Sequence, residues 1–338
     1  LCTSNLPDVA VVPSEHFNPV LYTGNGGTQS ITGFGFQPDW IWDKSRNQTG
    51  SHMLVDAVRG VGKYLRTNLT SAEGVDSSIL TSFDSDGVTV GDINGNASSS
   101  SSVMWGWKAN GSGSSNTNGS INSTVSANVD AGFSIVSYTG TGANATVGHG
   151  LSKAPEMLIF KNRAVSSNWR TYHSALGATK ALVLDGTGAS QTYNFWNDTA
   201  PTSTLFSLSS HADANGSSNN IVGYCFHSVD GYSKVGSYTG NGNADGTFIY
   251  TGFRPAFIIQ KRSDASGDWN MYDSKISPYN EITQYLHPHN SSSVGSTSVD
   301  FTSNGFKWRD STAIWNASGG TFIYIAFAET PFKYSNAR

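Results

Sequence analysis

Pro155-Glu156-Met157-Leu158-Ile159-Phe160-Lys161 is the stretch whose reading decides the fold. A proline opens an unbroken apolar run, which predicts a strand covered on both faces rather than a half-exposed one. Proline at the head of such a run is tolerated because no ladder bond is lost within it. The run occurs twice more, as Pro38-Asp39-Trp40-Ile41-Trp42 and Pro255-Ala256-Phe257-Ile258-Ile259. Six residues after each proline stands a lysine (Lys44, Lys161, Lys261), and twelve further on stand Asp56, His173 and Asp273. Tyr22-Thr23-Gly24, Tyr138-Thr139-Gly140 and Tyr238-Thr239-Gly240 precede the prolines by 16 or 17 residues. Each copy closes on an aromatic strand: Val103 to Trp107, Ile221 to Phe226, and Phe322 to Phe327. Spacings held through three copies mark an internal repeat.

The surrounding composition predicts an all-β protein. Charged residues are 13% of the 338, about half the usual share. Only five are Glu (Glu15, Glu73, Glu156, Glu281, Glu329), whereas helix surfaces use Glu and Lys freely. Ser, Thr, Asn and Gly fill the polar positions and favour turns and strands. Two cysteines, Cys2 and Cys225, are too few for a disulfide scaffold and read as free thiols. A net charge of −4 argues against nucleic acid as a partner. No apolar run is long enough to cross a bilayer as a helix, so membrane insertion is not expected. The expected architecture is three tandem β-sandwich or jelly-roll-like modules of about 100 residues each. They occupy 17–109, 132–229 and 230–338, after an N-terminal linker over 1–16. Residues 110–131, rich in Gly, Ser and Asn, read as a flexible linker or surface loop. Short spacing predicts close packing of modules two and three, with module one less constrained. Phe133 to Tyr138 alternates at period two, which predicts one buried face.

Four segments carry a family resemblance. They are Tyr138-Thr139-Gly140 after Phe133, Gly252-Phe253-Arg254-Pro255, Ala326 to Lys333, and Thr81-Ser82-Phe83-Asp84-Ser85-Asp86-Gly87. Together they resemble the repeat domain found near the C-terminus of large virion proteins of tailed phages, notably marine ones. That domain has no established function and often accompanies concanavalin-A-like lectin modules. The resemblance implies a virion surface location and, because fibres are commonly trimeric, a homo-oligomer with a trimer as one option. It supplies no catalytic residues. The opening Leu1 to Pro7 resembles an internal linker, so the chain is expected to be the C-terminal part of a longer fibre-like polypeptide.

Among candidate sites, the repeated Lys44/Asp56, Lys161/His173 and Lys261/Asp273 read as structural polar pairs at equivalent places, worth about 0–1 kcal/mol each if exposed. The exchange of Asp for His in the second copy argues against a shared charge-dependent mechanism. Trp40, Trp42, Trp105 and Trp107 lie in predicted strands and are expected in the core. Trp169, Trp196, Trp269, Trp308 and Trp315 stand among polar residues and are the candidates for a glycan platform, although Trp169 and Trp269 are equivalent in the repeat. His287-Pro288-His289 brings two imidazoles together without an evident third ligand, so no metal is expected there. Asp84 to Gly87 and Asp92 to Asn96 fail the EF-hand pattern and read as hairpin turns. Gly24-Asn25-Gly26-Gly27 and Gly140-Thr141-Gly142 lack the Gly-Lys-Ser/Thr of a phosphate loop, so no cofactor is implied.

The expectation is therefore a non-enzymatic tail fibre or appendage on the exterior of a virion, adhering to host-surface glycans through several modules, with other virion proteins as partners. The alternative is a capsid-attached fibre or decoration protein with a structural role. A glycan depolymerase would need two opposed acids, and Glu is scarce.

Overall fold

The computed structural model describes residues 11–329. Cys2, most of the 1–16 segment and the end of the Ala326 to Lys333 motif lie outside the described residues. The chain is nearly all β, and the two α-helices among the described residues are single turns, Ala212–Asn215 and Ala313–Asn316. No helix among the described residues is long and apolar enough to cross a membrane.

One antiparallel four-strand arrangement recurs three times. In the first copy an opening strand (Phe17–Thr23) pairs with a closing strand (Ser101–Trp107). That strand pairs with the proline-headed strand (Trp40–Ser45), which pairs with a return strand (Met53–Asp56). The second copy orders Phe133–Thr139, Asn220–Phe226, Met157–Asn162 and Arg170–His173 in the same way. The third orders Ser233–Thr239, Thr321–Ala328, Pro255–Arg262 and Trp269–Asp273. Register is conserved as well as order. Trp40 faces Trp107 and Asp56, Met157 faces Phe226 and His173, and Phe257 faces Phe327 and Asp273.

Period two explains why the proline-headed runs are apolar throughout. Trp40, Trp42, Met157, Ile159, Phe257 and Ile259 turn to a single core shared by all three copies. Ile41, Leu158, Phe160 and Ile258 turn the other way into separate outer cores, each covered by a smaller set of strands. The first outer layer is Gln29–Thr32, Leu80–Asp84 and Gly87–Val90, where Asp84 and Gly87 close the expected hairpin. In the second copy it is Ala145–Gly148 with Leu205–Leu208.

Three expectations are corrected. The 110–131 segment is not a loose linker. Ser114–Asn116 and Ser123–Asn128 extend the second sheet, with Val125 opposite Val136, and Ile121 and Val125 are buried. The Phe133–Thr139 strand has two covered faces instead of one, Phe133 and Ile135 entering the shared core and Val136 and Tyr138 the outer one. Nor is the first copy less constrained, because Phe17 packs on Phe327 (5.0 Å between ring centroids) and Trp40 on Tyr224 (4.4 Å).

The Tyr-Thr-Gly turns have a common structural cause. Asn96, Asn215 and Asn316 are buried, and their Oδ1 atoms accept the backbone N–H of Asn25, Thr141 and Asn241. The turn presses so close that a Cβ on Gly24, Gly140 or Gly240 would lie 2.2, 2.3 or 2.4 Å from a backbone oxygen. Only glycine fits there.

Candidate functional site

All five proposed glycan-platform tryptophans are buried, which overturns that reading. Trp169, Trp196, Trp269, Trp308 and Trp315 are each at most 4% exposed. Their polar neighbours in sequence misled because a strand or tight turn can send one residue outward and the next inward. Each indole N–H is satisfied inside: Trp196 donates to Lys180 O, Trp308 to Tyr238 Oη and Trp315 to Asp310 Oδ1. Trp169 and Trp269 donate across repeat boundaries, to Arg66 O (3.0 Å) and Val183 O (2.9 Å). Trp40, Trp42, Trp105 and Trp107 lie in the shared core as expected.

The repeated Lys/acid positions are buried too, but the two members of a pair bond different neighbours. Each lysine reaches the preceding repeat around a ring. Lys161 Nζ donates to Thr70 O of the first repeat (2.8 Å), Lys261 Nζ to Thr187 O of the second (3.3 Å), and Lys44 Nζ to Ser291 O of the third (3.4 Å). The same three carbonyls accept the N–H six residues after each lysine, from Ser167, Gly267 and Gly50. The N–H of Glu73, Ser190 and Val294, three residues beyond those carbonyls, returns to Arg163 O, Ser263 O and Arg46 O. Burial pulls each ammonium down to about 8, which leaves it charged at neutral pH.

The return-strand residue reaches the next repeat in the opposite sense. Asp56 Oδ2 accepts from Tyr224 Oη (2.8 Å), and Asp273 Oδ2 accepts from Trp105 Nε1 (2.5 Å). The third copy of this contact explains the His exchange. By register, the position of Trp105 and Tyr224 is held in the last closing strand by Ile325, which has no donor to offer. His173 instead sets Nε2 against the backbone oxygen of Tyr324 (3.3 Å), while its Nδ1 accepts from Ala175 N. These partners assign the proton to Nε2. Burial pulls this imidazole down to about 4, so it stays neutral.

Several seam residues escaped the sequence reading. Arg59 joins Asp56 (2.5 Å) to Glu73 (3.1 Å), and Arg163 of the second repeat clasps Glu73 at 2.8 and 2.9 Å. The one available signal was that Glu73 is among so few glutamates. The sequence also hid a third group beside His287 and His289. Asp268 lies 3.1 Å from His289 Nε2 and 4.0 Å from His287 Nε2, which corrects the view that the two imidazoles stand without a further ligand. At position 52, equivalent to Trp169 and Trp269, the first repeat has a buried His52 whose Nδ1 accepts from Trp42 Nε1. A cleft of about 410 Å³ opens where the first strand meets the third repeat, between Phe17, Pro19, Arg254 and Lys275. Its Arg254 is paired with Glu329. Buried Cys225 is a free thiol that burial pushes up to about 12, so it is inert.

Opposed titrations shape the pH response. Burial pushes the Asp43 carboxyl up to about 7, against hydrogen bonds from Tyr22 Oη and Gly95 N, and pushes Asp273 up to about 6. The folded chain protonates these carboxyls before the unfolded chain does, so their contribution to stability grows as pH falls from about 7 towards 3.8. His149 and His173, both pulled down to about 4 by burial, act oppositely. The unfolded chain protonates them first, and stability is lost as pH falls from about 6.5 to about 4. Asp43→Asn removes one compensating carboxyl. Its unfolding free energy in urea should fall more steeply than wild type on acidification from neutral pH, by up to roughly 1.4 kcal/mol per pH unit. An unchanged slope would show that Asp43 does not titrate in this range.

A family model described as a domain of unknown function, DUF7483, matches residues 12–331. No curated protein and no solved structure matches the chain.

Proposed function

We propose that this chain, which belongs to the DUF7483 family of domains of unknown function, is a non-enzymatic structural domain on the exterior of a phage particle. It would serve in a tail fibre or similar appendage and hold weak host-surface contacts in several copies. The observation that carries the reading is the closed seam. The repeated lysines, acids and indoles are the groups a shared catalytic or binding site would use, and they hydrogen-bond one repeat to the next instead. Such a body suits mechanical load, because separating any repeat exposes part of the common aromatic core.

The loops that remain are rich in neutral hydroxyls and amides, whose contacts with sugars depend little on salt. Avidity multiplies such contacts without any being strong. The partners on this reading are further copies of the chain, a trimer included, other virion proteins and a host-surface glycan. Aromatic contact with the glycan passes from the buried tryptophans to Tyr250 and Tyr279, which are 65% and 82% exposed.

Retention of the purified chain on host cells tests adhesion. Tyr250→Ala and Tyr279→Ala should each weaken it roughly fivefold, the worth of one aromatic contact, with Tm unchanged. Wild-type chain that is not retained would favour the structural alternative, a capsid-attached decoration. A particle reconstruction would then show all three repeats between capsid subunits. Release of reducing ends from host polysaccharide would sink the non-enzymatic reading.

A further inference from the structure

The seam between the third and first repeats differs from the other two. The carbonyl that receives the lysine lies 26 residues after Lys44 and after Lys161, at Thr70 and Thr187, but 30 after Lys261, at Ser291. The longer segment carries His287-Pro288-His289. It is pinned to the first repeat on both sides of His289, by Thr67 Oγ1 donating to Pro288 O (2.7 Å) and Gly50 N donating to Ser291 O (2.9 Å). The residue after Asp268, Trp269, is anchored as well, sending its indole N–H across the other seam to Val183 O.

Three ligating atoms converge on this fixed frame. One atom each from Asp268, His287 and His289 lie within 4.8 Å of one another. His287 Nδ1 lies 2.9 Å from Trp269 O, which places the proton on Nδ1 and leaves Nε2 with a free lone pair on the side of the carboxylate. The His289 side chain is only 7% exposed; its Nε2 faces Asp268, and its Nδ1 has no hydrogen-bond partner among the described residues. A tetrahedral ion with bonds of about 2.0–2.1 Å holds its ligand atoms about 3.4 Å apart. His289 Nε2 lies 3.1 Å from Asp268 Oδ1 and His287 Nε2 lies 4.0 Å from Asp268 Oδ2, either side of that value. Lys261 is a nearby cation, and its ammonium is turned to Thr187 O and Arg262 O.

We infer that Asp268, His287 and His289 form a three-ligand site for a zinc-class divalent cation, which locks the segment that the first repeat docks on. Two imidazoles and one carboxylate select this class over calcium or magnesium, which take oxygen ligands. The partly exposed Asp268 side leaves the fourth position to water.

The test uses the full, tag-free chain stripped with a chelator and titrated with Zn²⁺. Calorimetry should show one ion per chain, and a hundredfold excess over Kd should raise Tm by about 4 °C. The imidazole ¹⁵N resonances of His287 and His289 should shift, with those of His16 and His211 unmoved. Asp268→Asn and His289→Ala should each weaken binding at least tenfold. Absence of a Tm rise, or binding that moves no resonance of His287 or His289, would overturn the proposal. So would affinity unchanged in both variants. If a variant does not fold, the wild-type resonances decide.

Discussion

His173→Asp should destabilise the fold by about 3–5 kcal/mol, although aspartate is the residue that the other two repeats use at this position. His173→Asn, of nearly the same size, should cost only about 1–2 kcal/mol. The difference lies in what faces the side chain. Asp56 meets the hydroxyl of Tyr224 and Asp273 the indole N–H of Trp105, both donors. At the second-to-third seam the closing strand presents Ile325, and the polar atom it sets against His173 Nε2 is the backbone oxygen of Tyr324. A carboxylate there would be a buried charge set against an acceptor, whereas the amide of asparagine keeps a donor on that side. Both replacements retain an oxygen for Ala175 N. Urea unfolding of the three proteins at pH 7 measures the gap. Equal losses for Asp and Asn would show that shape, not donor sense, governs this contact.

Trp40→Ala should cost about 3–5 kcal/mol and be felt beyond its own repeat. The Trp40 indole lies 4.4 Å from the rings of Trp107 and Tyr224 and 5.6 Å from Phe133. Two of those three rings belong to the second repeat, so the cavity would open in the shared core. Hydrogen exchange should report loss of protection in Ser101–Trp107 and in Asn220–Phe226 together, and unfolding should remain a single transition. Loss confined to residues 17–109, with the other repeats unfolding at their original denaturant concentration, would mean that the three sheets are stable independently.

Much of the architecture was readable from residue spacing. Two-sided apolar runs headed by proline gave the middle strands of the three sheets, and the aromatic runs gave the closing strands. Four of the nine tryptophans could be assigned to the core because they fell in those strands. The other five tryptophans are buried against expectation. Trp169 directly precedes a short buried strand and Trp269 opens one, their neighbours include Asn168 and Asp268, and composition cannot say which side of such a segment faces a second sheet. The segment over 110–131 was misread for the same reason, since Ser and Asn suit an edge strand that bonds through its backbone as well as they suit a loop. The metal-ligand cluster was half visible. His287 and His289 are neighbours in sequence, but Asp268, just ahead of the return strand Trp269–Asp273, is brought to them by the pairing of that strand with Ile282–Leu286.

By itself, then, the sequence determined an all-β chain, a thrice-repeated sheet and the positions that had to be equivalent. What those equivalent positions do was decided by tertiary structure alone. The acceptors of Lys44, Lys161 and Lys261 are the main-chain oxygens of Ser291, Thr70 and Thr187, and a carbonyl is the same in every residue. A side-chain pattern records that a lysine is needed, but leaves no trace of a backbone partner up to 247 residues away. Only when the three sheets close on one another does the spacing of proline, lysine and acid become a ring of contacts.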